Sequence, residues 1–122
     1  KRPDEKDCMF LSSHEPCSMC LSAITFAGFD NFYYLFPYAD TNSEFNIPHD
    51  LNILKEVFKI NDGDYNKENY YWKSQNINLL IENLSTSKKE MILNQLDEIK
   101  KKYLILSNQY QKNKDGNSIP LN

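Results

Sequence analysis

The chain has 122 residues and a net charge of −3, with 40% hydrophobic and 25% charged residues. That is enough to bury the core of one domain, and no apolar run approaches the ~20 residues of a membrane span. The acidic balance disfavours a partner gripped through its phosphates, and three cysteines are too few for a disulfide framework, so a reducing, cytoplasmic compartment is expected.

The chain order predicts an α/β fold. Cys8 to Leu11 is a short apolar run that reads as a strand, with Cys8 as a small core residue. Pro16 suits the first position of a helix, where its missing N–H has no partner to lose. Leu21, Ile24 and Ala27 give that helix an apolar side, and Gly28 can end it. Asn31 to Tyr38 is aromatic and nearly continuously apolar, as in a strand buried on both faces of a covered sheet. Two strands joined through one helix make a βαβ unit with parallel strands.

Leu51, Leu54, Val57 and Phe58 mark an amphipathic helix over residues 50–59. Asn61 to Asp64 is a turn. Residues 65–74 mix polar and aromatic side chains and carry no assignable period. Ile77, Leu80, Ile81 and Leu84 predict a short helix. Ser87-x-x-Glu90 reads as a capping box opening a long helix. Its apolar positions Ile92, Leu96, Ile99, Tyr103, Leu106 and Tyr110 form a seam that calls for a partner helix, in this chain or in a second protomer. Lys88-Lys89 and Lys100-Lys101-Lys102 are interleaved with Glu90, Asp97 and Glu98, which fits a solvated helix face better than an RNA footprint. Residues 113–122 read as a loose tail.

The chemistry concentrates in Ser12-Ser13-His14-Glu15-Pro16-Cys17-Ser18-Met19-Cys20. Cysteines at i and i+3 on a first helical turn share one face. The helix N-terminus favours thiolate, the form that binds metal. Cys17 and Cys20 are thus half of a zinc site; a redox pair and half of a zinc ribbon are the other readings of C-x-x-C. His14 is a poor third ligand, because three ligands so close in sequence rarely wrap one tetrahedral ion. His49 is expected to face solvent. Glu15 precedes a helix start, where its carboxylate can accept backbone N–H bonds. Tyr38 and Asp40 follow the second strand at its carboxyl end, the edge where parallel sheets bind ligands, so both are candidate substrate contacts; Asp40 is equally at home in a turn.

From Met9 to Tyr38 the chain resembles the zinc-dependent cytidine deaminase-like family, which carries an H-x-E…P-C-x-x-C signature. Glu15-Pro16-Cys17, Met19-Cys20, Ala23-Ile24 and the strand over 31–36 are most similar to the guanine deaminase and tRNA adenosine deaminase branch. The resemblance implies a three-layer α/β/α fold, seen here in its C-terminal part over residues 1–84, with residues 85–122 as a helical extension. It implies zinc as cofactor, held by Cys17 and Cys20, with Glu15 and Pro16 structural beside them. It implies hydrolytic deamination, the metal making hydroxide available near neutral pH and a non-ligand Glu moving the proton to the leaving amine. No H-x-E or C-x-E precedes Cys17, so the chain is expected to be an N-terminally truncated deaminase whose third ligand and catalytic Glu lie upstream of Lys1. A small-molecule base or nucleoside is the expected substrate and a homodimer the expected assembly. The alternatives are an inactive deaminase-like scaffold and a tRNA adenosine deaminase.

Overall fold

The computed structural model describes residues 2–118. Its centre is a strand of alternating large side chains, β1 and β3 flanking β2: β1 is Leu11–His14, β2 Asn31–Phe36 and β3 Lys73–Asn76. All pairing is parallel, in the order β1-β2-β3. Leu11 lies opposite Tyr33 and His14 opposite Phe36; Asn31 lies opposite Lys73 and Tyr34 opposite Asn76. The expected parallel βαβ unit is present, with α1 (Ser18–Ala27) joining β1 to β2.

Three strand boundaries differ from the sequence expectation. β1 begins at Leu11 rather than Cys8. Asp4 caps a 3-10 turn over Glu5–Asp7 by accepting from Lys6 N at 3.1 Å, and Cys8 is taken up in leaving that turn. Pairing with β2 starts where Tyr33 N donates to Phe10 O at 2.8 Å. Cys8 is therefore a half-buried loop residue, its thiol 3.4 Å from Asp4 O. Secondly, β2 ends at Phe36, and its burial alternates: Phe32, Tyr34 and Phe36 are buried, whereas Asn31, Tyr33 and Leu35 are only half-buried. One face of the sheet is thus less covered than a strand buried on both faces requires. Thirdly, residues 65–74 contain the start of β3. Its sequence Lys-Ser-Gln-Asn has no apolar alternation, because it is an edge strand half-exposed to water.

Beyond β2, Pro37 precedes a short helix α2 (Tyr38–Ser43), and α3 spans His49–Phe58 with Lys59 closing it in the left-handed region. The turn at 61–64 contains a 3-10 segment, Asn61–Gly63. The core joins Ile24 of α1, Phe32 and Tyr34 of β2, Tyr38 of α2, Leu54 of α3, and Tyr65 and Trp72 of the segment before β3. Trp72 Nε1 also donates to Thr25 Oγ1 at 2.8 Å, tying that segment to α1.

A short helix α4 (Ile77–Ile81) is capped by Asn76, and α5 spans Thr86–Asn113. The capping box does not form. Ser85, in extended conformation, is the N-cap, its carbonyl accepting from Lys89 N at 2.9 Å, so Ser87 and Glu90 come two residues too late. A 3-10 turn, Lys114–Gly116, follows α5; the rest of the predicted tail, residues 119–122, lies outside the described residues.

The long helix covers one end of the sheet. Tyr103 packs edge-on against His14, Phe36 and Phe45 at ring distances of 4.8, 5.6 and 6.3 Å. The predicted seam holds from Ile92 to Tyr103, all half-buried, and then fails: Leu106 is 57% exposed and Tyr110 38%. A straight helix drifts ~20° per heptad against a 3.5-residue pattern. Past Tyr103 the contact line passes to Ser107, whose hydroxyl donates to Phe45 O at 2.5 Å, and Gln111, which donates to Asn46 O at 2.9 Å. Part of the seam is therefore satisfied within one chain. Tyr103→Ala is expected to lower stability by about 2 kcal/mol or more through the void beneath three rings, whereas Leu106→Asp stays within about 0.5 kcal/mol. Urea denaturation of the two variants checks the assignment; an equal loss in both would contradict this packing.

Candidate metal centre

The strand exit before Cys17 is fixed at three successive points. Glu15 N donates to Phe36 O at 2.8 Å. The Glu15 carboxylate, 4% exposed as a residue, accepts from Tyr38 N at 2.9 Å, from Tyr65 Oη at 2.8 Å and from Lys67 Nζ at 2.5 Å. Pro16 O accepts a short hydrogen bond from the Tyr38 hydroxyl. Glu15 therefore does bind a helix-terminal N–H, but that of α2 rather than α1. Burial first and the Glu15 charge second push the Tyr34, Tyr38 and Tyr65 phenols up, which keeps all three protonated at neutral pH.

Held this way, the chain delivers Cys17 as the N-cap of α1, not Pro16 as its first residue. Pro16 is buried one position earlier. The Cys17 sulfur takes the capping role that a Ser or Asp oxygen usually fills, accepting from Cys20 N at 3.5 Å. The two sulfurs lie 3.4 Å apart, Cys17 half-buried and Cys20 exposed. Two sulfurs on one tetrahedral zinc, each at ~2.3 Å, would stand roughly 3.8 Å apart, so the pair needs only a small side-chain rotation to share an ion. The thiolate bias expected from the helix terminus is overridden at Cys20. Desolvation first, then the hydrogen bond and charge of Cys17, push its thiol up, and Asp50 on the first turn of α3 adds to the effect.

The other singled-out residues stand elsewhere. The His14 ring is enclosed by Phe36, Phe45 and Tyr103, and its Nδ1 lies 3.2 Å from Ser13 Oγ. Among the described residues, no group of three or more His, Cys, Asp and Glu is arranged to hold a metal. Tyr38 is 3% exposed with its hydroxyl committed to Pro16, which corrects the expectation that it contacts substrate. Its ring closes against Gly63, where an added Cβ would stand 2.4 Å from Tyr38 Cδ2 at φ +69°. Asp40 is half-buried in α2, in the field of Lys100, and burial pushes its carboxyl up. His49 is half-buried and borders a cavity of about 320 Å³ between the 46–49 loop and the end of α5; neither Tyr38 nor Asp40 lines that cavity.

Sequence reasoning missed Lys67, Tyr65 and Asp50. The first two sit in the stretch without a period, and only the fold brings them across fifty residues to Glu15. Comparison with family models, curated proteins and solved structures gives no match.

Burial also lowers the His14 pKa. The unfolded chain then takes up the proton first, so His14 costs the fold stability as pH falls through about 6.5. His14→Phe is expected to flatten part of the fall in urea midpoint between about pH 7 and about pH 5; an unchanged slope would show that the ring titrates as freely in the folded state as in the unfolded.

Proposed function

We propose that these residues form the C-terminal part of a zinc-dependent hydrolase that deaminates a nucleobase or nucleoside. The observation that carries this reading is the P-C-x-x-C at a strand-to-helix junction of a parallel sheet, with its sulfurs converged to 3.4 Å. Cys17 and Cys20 supply two of three protein ligands. Zinc bound there supplies Lewis acidity that makes hydroxide available near neutral pH. The third ligand and the proton-shuttling Glu are assigned to sequence outside these 122 residues. The two thiols together would leave half of the tetrahedron open, and because thiolate is the ligand form, binding the ion would release protons.

The net charge of −3 and the ion pairs of Lys101 with Asp97 and Glu98 favour a small molecule over a tRNA. No helix among the described residues is long and apolar enough to cross a membrane. A cytoplasmic homodimer completes the proposal. Exposed apolar side chains on α1, Met19 at 75% and Phe26 at 92%, offer surface for assembly beyond the α5 seam.

Zinc content read by metal analysis is expected to fall sharply from wild type to Cys17→Ala; equal zinc in both would sink the ligand assignment. In a second test, the whole gene product that carries these residues is expected to release ammonia from at least one of guanine, cytosine, adenine or their nucleosides. The 122-residue chain alone is expected to be slower by at least the 10²–10⁴ typical of a positioned proton donor. Robust turnover by the chain alone would show that its own residues supply the proton shuttle.

A further inference from the structure

We infer that Lys67 is a positioning residue for the Cys17–Cys20 centre, acting through Glu15 and Tyr38. The inference rests on reading the two cysteines as a metal pair.

Lys67 lies 47 residues beyond Cys20, in a loop stretch before β3. Its side chain is 40% exposed, so water alone would solvate it adequately. Instead Nζ is turned inward. It lies 2.5 Å from Glu15 Oε1, 3.3 Å from Gly63 O, and 3.5 Å from the centre of the Tyr65 ring. Four contacts thus converge on one ammonium: a carboxylate, a carbonyl, and the faces of Tyr65 and, at 5.7 Å, Tyr38.

The consequence runs along a short covalent path. Lys67 and Tyr65 hold Oε1 of Glu15, which sets Oε2 against Tyr38 N. Tyr38 returns its hydroxyl to Pro16 O, so Glu15 and Pro16, the two residues before Cys17, are both tied to one tyrosine. Cys17 begins the helix on the next residue, and Cys20 is bound to it through N–H to sulfur. A side chain that orients the residues carrying metal ligands typically changes metal affinity 10–100-fold when removed. Glu15 is the hub of this arrangement, but it is buried and its loss endangers the fold. Lys67, half in water, is the part of the arrangement whose removal disturbs the fold least.

The test uses cobalt(II) as the probe metal on the 122-residue chain, at a temperature where each variant is folded. Lys67→Met is expected to weaken cobalt binding 10–100-fold, read from the thiolate-to-cobalt absorption. Lys67→Arg, which keeps a cation for Glu15, is expected to stay within about threefold of wild type. Ile81→Ala serves as the control: it opens the core at a residue 3% exposed that lies outside the cluster of Tyr38 and Tyr65, and is also expected within about threefold. Equal losses in Lys67→Met and Ile81→Ala, or no loss in Lys67→Met, would overturn the inference.

Should Lys67→Met not fold, Glu15→Gln/Lys67→Met removes both charges together and is held to the same expectation. Where wild type takes no cobalt, the metal reading falls, and the dithiol–disulfide equilibrium of Cys17 and Cys20 against glutathione decides the positioning instead. There Lys67→Met is expected to shift about tenfold toward the reduced pair, about 30 mV, because a looser Cys17 meets Cys20 less often. An unmoved equilibrium would overturn it.

Discussion

A carboxylate buried at 4% exposure is the constraint on which the rest of this structure turns. Removing the partner of such a group costs roughly 3–5 kcal/mol when it leaves the charge uncompensated. Glu15 avoids that cost by recruiting three donors from three places: the first N–H of α2, the phenol of Tyr65 and the ammonium of Lys67. Each donor brings its own segment. The end of β1, the helix α2 and the loop before β3 therefore meet at one point, although Tyr38 lies 23 and Lys67 52 residues beyond Glu15 in the chain. The junction lies where the crossovers of the parallel sheet close. With no hairpin turns in the sheet, the Glu15 contacts add to the backbone pairing in holding the crossover segments together.

That junction also explains why so many tyrosines are buried in a small core. Tyr34, Tyr38 and Tyr65 surround Glu15, and each keeps its proton because burial and the carboxylate both oppose a phenolate. An aromatic ring contributes apolar area while its hydroxyl satisfies a polar neighbour. A phenylalanine at position 65 would fill the same space and leave Oε1 with one donor fewer. Gly63 belongs to the same arrangement: a side chain there would collide with the Tyr38 ring that carries the bond to Pro16.

Legibility in the sequence followed the kind of signal each element carries. α1 and α3 announce themselves by apolar spacing and by Gly28 and lie within a residue or two of the expected positions, whereas α4 stops at Ile81, three residues short of Leu84. β3 was not readable, because an edge strand of Lys, Ser, Gln and Asn has no apolar period; its partner β2 makes it a strand. β1 lies three residues beyond the apolar run, because local apolar content marks residues 8–11 while pairing selects the more polar 11–14. At the site, the two cysteines were readable because their relation is local, i to i+3. Lys67 and Tyr65 were not, because their relation to Glu15 exists only after folding. Tyr38 was read by its place at a strand end, a correct position with the wrong role: its ring points into the core.

The same distinction bears on how the two thiols work. A helix N-terminus favours thiolate by its dipole alone, and both cysteines stand on that first turn. In the folded chain, burial and the second sulfur weigh more at Cys20 and push its thiol up. Two like groups 3.4 Å apart cannot both ionise without opposing each other. A divalent cation removes that opposition, since it neutralises both sulfurs at once. A sulfur pair brought this close, one of them exposed, is poorly suited to stay as two free thiolates and well suited to be bridged. On the proposed metal reading, the strand exit ending at Pro16 would hold Cys17 in place while Cys20, the more exposed of the two, would adjust to the ion.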